Sequence, residues 1–113
     1  MNSRYPRITY SLFILALSGF LLQPASLSAQ DASTLFATKC AACHGKDALG
    51  KTPMGTKLKV KDLHSPEVQK ETDAEIRTII AKGKAKMPAY EAKFSKEQID
   101  GLVAYVRALG PKK

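Results

Sequence analysis

The run Cys40-Ala41-Ala42-Cys43-His44 holds both cysteines of the chain and one of its two histidines. With both thiols so close together, no disulfide can join distant segments. The chain therefore cannot be stapled as short secreted domains usually are. A structural zinc site needs four ligands at defined spacing, and the only other histidine is His64. A thioredoxin-type pair follows a strand within a βαβ pattern, and no such pattern surrounds these residues. What remains is a use of both thiols by one group. Two cysteines three positions apart, followed directly by histidine, form the spacing at which a haem is attached through two thioethers. His44 would then sit under the iron as its proximal axial ligand.

The N-terminus reads as a targeting segment. Arg4 and Arg7 accompany an apolar stretch over residues 8–22, and Pro24 and small residues lead to Ala29. That is the pattern of a secretory signal peptide. A membrane-spanning helix usually needs about 20 apolar residues, and Thr9, Ser11, Ser18 and Gly19 weaken this shorter stretch. Cleavage is expected after Ala29 or Gln30, with Leu27 an unusual minus-three residue for the first; an uncleaved anchor is the alternative. No cysteine there could carry a lipoprotein anchor. Residues 1–29 are thus expected to be the signal, and 30–113 one mono-haem domain in the periplasm or otherwise secreted.

The mature domain has about 84 residues. Without Arg4 and Arg7 it carries sixteen basic against ten acidic residues, a net charge of +6. Secretion, and the lack of a helix-turn-helix or stacking-aromatic pattern, argue against nucleic acid as the partner of this basic chain. A domain this short buries a modest core. A covalent haem supplies the missing apolar body, so the haem-free chain is expected to be largely unfolded.

Along the mature chain the pattern is of short helices and polar loops, with no convincing strand and no repeat. A first helix is expected over Ala32 to Cys43, capped by Ser33 or Asp31. Residues 45–63 read as loop, and Ser65-Pro66-Glu67 could start a short helical turn. Thr72 to Glu75 is a capping box opening a helix through Ile76, Ile79 and Ile80, ended by Gly83. A loop over 84–94 contains Met87-Pro88. Ser95 to Gln98 is a second capping box. The last helix runs to Leu109 with Ile99, Leu102, Val103 and Val106 buried, and Gly110-Pro111 stops it.

With the haem motif early, Phe36 four residues before Cys40, and Leu102 and Tyr105 in the last helix, the chain resembles the small class I c-type cytochromes. The resemblance covers about Asp31 to Gly110. It implies an all-α cytochrome c fold: three to five short helices wrapped around one covalently bound haem c, with the first and last helices crossing. It also implies that a late-loop methionine, matched by Met87, fills the sixth position of the iron, and that a proline carbonyl, matched by Pro53, accepts from the second nitrogen of His44. Alternatives stay open. Met87 could be a core filler, Met54 or His64 could ligate instead, and Pro53 could be a plain turn former.

The function implied is one-electron transport between a redox donor and acceptor, without enzymatic activity of its own. Lys39, Lys46 and Lys51 flank the haem motif, and Lys82, Lys84, Lys86 and Lys93 flank the methionine loop. A positive ring there would dock on an acidic patch of the partner. The alternative function is a haem-based gas sensor or weak peroxidase with a labile sixth ligand. A further possibility is a dedicated subunit or docked donor of one oxidase or dehydrogenase.

Overall fold

The computed structural model describes residues 29–111. The expected signal segment lies outside the described residues except for Ala29, where helix α1 (Ala29–Lys39) begins. This helix is already under way at Asp31, so neither expected cap closes it; Asp31 instead sits in its first turn, where a carboxylate faces the positive end of the helix. The expected single helix through Cys43 is divided. The chain turns at Cys40 (φ −112°, ψ −32°) before α2 (Ala41–His44). Cys40 N still donates to Phe36 O at 2.9 Å, and His44 N to Cys40 O at 2.9 Å. The helical sense therefore continues across a break that re-aims the motif.

A second difference lies in the expected loop, where α3 (Pro53–Leu58) forms. Thr52 is extended and its hydroxyl accepts from Gly55 N, while Pro53 occupies the first helical position, where its fixed φ and missing N–H cost nothing. The helix α4 (Pro66–Gln69) repeats this design with Ser65 as cap. Both expected capping boxes are formed: Thr72 with Glu75 opens α5 (Asp73–Lys82), and Ser95 with Gln98 opens α6 (Lys96–Leu109). Among the described residues there are thus six helical segments. The break at Cys40 and the turn α3 raise the number above five; only α1, α5 and α6 exceed two turns. Among the described residues, strand structure is limited to one bridge between Lys84 and Met87.

The core joins α1, α5 and α6. Phe36 packs with Ile76 and Ile80 and with Ile99, Leu102, Val103 and Val106. The first helix packs against the last, with the rings of Phe36 and Tyr105 4.7 Å apart. Polar ties hold the frame around this core. Arg77 Nε donates to Asp100 at 2.6 Å, linking α5 to α6. Arg107 donates to Asp73 Oδ1 at 2.6 Å, to Gln69 O at 2.7 Å, and to Glu71 O. Gln69 Nε2 donates to Leu63 O at 2.7 Å and Val106 O at 3.1 Å. These bonds fix the α4–α5 link against α6. Among the described residues no helix is long and apolar enough to cross a membrane.

Candidate functional site

The buried side chains ring a cavity of about 300 Å³. Protein interiors are close-packed and rarely keep voids larger than a water molecule, so an apolar cavity this large in so small a domain is a ligand site. Phe36, Ile76, Ile80, Leu102 and Val106 supply apolar walls, and Cys40, Cys43, His44 and Met87 all border it. Residues 40 and 87, distant in sequence, thus meet at one cavity.

The motif reaches it from the end of α1. Burial, and secondarily the neighbouring Cys43, pushes the Cys40 thiol up to about 11. Burial lowers the His44 pKa and so favours the neutral imidazole, the form that binds a metal. Its Nδ1 is buried without a hydrogen-bond partner, the Pro53 carbonyl included. The Phe36 ring lies 6.2 Å away.

The methionine arrives on a tight turn. Lys84 N donates to Met87 O at 3.2 Å and Met87 N to Lys84 O at 2.9 Å. Ala85 takes a left-handed φ of 53° to close it. Gly83 has φ +77°, and a Cβ there would lie 2.6 Å from Met87 O, so backbone packs on backbone beside Met87. Tyr90 borders the cavity and stacks on Phe94 at 4.8 Å. Burial raises its phenol pKa, with smaller contributions from Cys40 and Cys43.

The other candidates fall elsewhere. Met54 is 47% exposed and does not border the cavity. His64 also stands off it, with Nδ1 3.2 Å from Gly110 O and Nε2 3.0 Å from Asp47 O. Of the lysines expected to form a ring, Lys39, Lys84 and Lys86 border the cavity, while Lys46, Lys51, Lys82 and Lys93 do not. Lys82 pairs with Glu91 at 2.6 Å, and Lys93 lies 5.7 Å from the Tyr90 ring. Lys59 and Lys61 take their place at the cavity, and Lys61 is paired with Glu67. The glycine- and lysine-rich composition of residues 45–63 hides α3, which leads into that segment, so its role is not legible in the sequence. Among the described residues no group of three or more His, Cys, Asp or Glu could hold a metal ion.

An all-helical domain with a paired-cysteine and histidine motif at an apolar cavity is the architecture of a c-type cytochrome. The family model described as cytochrome c oxidase, cbb3-type, subunit III matches residues 28–106. The chain belongs to this cytochrome family. It is 35% identical over 77 residues to cytochrome c6 of Bryopsis maxima, covering 64% of this chain and 81% of that protein. Its structure resembles the KustC0563 c-type cytochrome with TM-score 0.65 and 28% identity, covering 70% of this chain and 96% of that one. Against cytochrome c6 of the diatom Phaeodactylum tricornutum the TM-score is 0.52 at 26% identity, covering 72% and 92%. The protein is a small class I c-type cytochrome that carries covalent haem c and transports electrons between redox proteins.

Proposed function

We propose that Cys40 and Cys43 would form the two thioethers, that His44 and Met87 would hold the iron, and that the chain is a carrier without enzymatic activity of its own. Haem c supplies a one-electron couple when bound. The observation that carries the reading is the meeting of His44 and Met87 at the cavity that both cysteines border. Two backbone bonds hold the turn over Lys84 to Met87, which would limit the movement of a ligating thioether between oxidation states. A thioether ligand favours the reduced iron and raises the potential. His44 Nδ1 has no partner, and a carbonyl that accepted from it, the role proposed for Pro53 at the start of α3, would orient the ring.

Lys39, Lys59, Lys84 and Lys86 at the mouth of the cavity form the docking face for an acidic patch on the partner. The mature protein is a soluble periplasmic or secreted carrier released by cleavage of residues 1–29. The test is an optical and redox titration of the purified holoprotein with carbon monoxide added to the ferrous form at neutral pH. The reading expects one reversible one-electron wave and no rapid binding. Rapid binding would favour the gas sensor or peroxidase. The description of the matching family favours one further reading, a subunit of an oxidase. Co-elution with an oxidase on gel filtration of native extract would support it, and elution as a small free protein would oppose it.

A further inference from the structure

We propose that Thr52 is a positioning residue for His44, acting through a single hydroxyl that joins α2 to α3; this rests on His44 being the proximal ligand. The last carbonyls of a helix have no partner within it. In α2, Ala41 O is satisfied by Gly45 N at 2.8 Å and His44 O by Gly50 N at 2.7 Å. The two carbonyls between them are served from outside the motif. Thr52 Oγ1 donates toward Ala42 O at 2.8 Å and Cys43 O at 3.0 Å. The same oxygen accepts from Gly55 N at 2.8 Å. A hydroxyl has one proton and two lone pairs, so one proton is shared by two carbonyls while the oxygen caps α3.

The joint is close. A Cβ on Gly55 would lie 2.3 Å from Cys43 O and 2.4 Å from Gly50 O, so the backbone of α3 rests directly on the motif. This matters for the imidazole because its Nδ1 has no hydrogen bond of its own. Its orientation is then set by the path of the backbone that carries it, and Thr52 holds that path on the side facing α3. Thr52 also directly precedes Pro53. Pro53 opens α3, so the hydroxyl ties the start of that helix to the backbone that carries the imidazole, and a shift there would change the orientation that His44 offers to iron.

The alternative is that Thr52 merely caps α3. Three variants of the holoprotein separate the two: Thr52→Val, Thr52→Ser and Thr52→Gly. Glycine keeps much of the capping preference but has no hydroxyl. The measurements are the reduction potential, the NMR shifts of the His44 ring protons, and the urea midpoint. We expect T52V and T52G to move the potential and the ring shifts in the same direction, and T52S to restore both. If T52V does not mature, T52G carries the comparison. If neither retains haem while T52S does, the requirement for the hydroxyl stands. Wild-type potential and ring shifts in T52V or T52G, with only the urea midpoint lowered, would reduce Thr52 to a cap. A His44→Ala variant with the unaltered wild-type visible spectrum would instead overturn the reading of His44 itself.

Discussion

Removing both proposed attachment points should unfold the domain. The perturbation is Cys40→Ala with Cys43→Ala, expressed where no haem is available. The cavity is about 300 Å³, and an unfilled core cavity costs about 24 cal/mol per Å³, which gives about 7 kcal/mol. This is an upper bound, because the cavity opens to solvent. Globular domains are stable by about 0.05–0.15 kcal/mol per residue, or about 4–12 kcal/mol for one of this size. The cost is thus comparable to the whole stability. Its consequences fall on Phe36, Ile76, Ile80, Leu102 and Val106, which line the cavity and join α1, α5 and α6. Far-UV dichroism and urea titration of the haem-free chain should show reduced helicity and no cooperative transition. Near-native dichroism with a sharp urea transition would refute the claim that the haem completes the core.

Four further outcomes are expected. Met87→Ala should abolish the long-wavelength sulfur–iron absorption band, lower the potential, and admit carbon monoxide to the ferrous protein; persistence of the band would exclude Met87 as the ligand. Gly55→Ala places a Cβ against two backbone oxygens that no side-chain movement can relieve, and should lower stability by about 3 kcal/mol in a urea titration. Lys84→Glu with Lys86→Glu should slow electron exchange with an acidic redox partner at low ionic strength and converge with wild type at high salt. A rate independent of salt in both proteins would remove the docking face. Lys96 and then Arg77 hold the Asp100 carboxyl below its ordinary value of 3.8. A carboxyl lowered by folding stabilises above its unfolded value and loses that contribution as pH falls through the folded one. Asp100→Asn should therefore lower the Tm at neutral pH, and the difference should shrink in acid well below about pH 4.

Most helix ends are legible where the cap and its partner lie within four residues. Thr72 with Glu75, Ser95 with Gln98, and the stops at Gly83 and Gly110 form as the local pattern implies. The cap of α3 is as local, yet Thr52-Pro53 sits among Gly50, Gly55 and five lysines, whose composition speaks for loop. The break at Cys40 has no local signal, since Ala41, Ala42 and their neighbours favour a continuous helix. Arg107 is likewise silent in sequence, because its carbonyl partners at Gln69 and Glu71 lie more than thirty residues away.

By itself the chain order determined that this is a haem-attaching, all-helical domain with a methionine placed late, because thioether attachment and capping are short-range chemistry carried by adjacent residues. Which lysines reach the cavity, that Met54 and His64 stand apart from it while Met87 borders it, and that Thr52 closes α2 onto α3 were decided only by the fold. Those relations depend on how separate helices pack around one shared cavity, and no stretch of sequence records that distance.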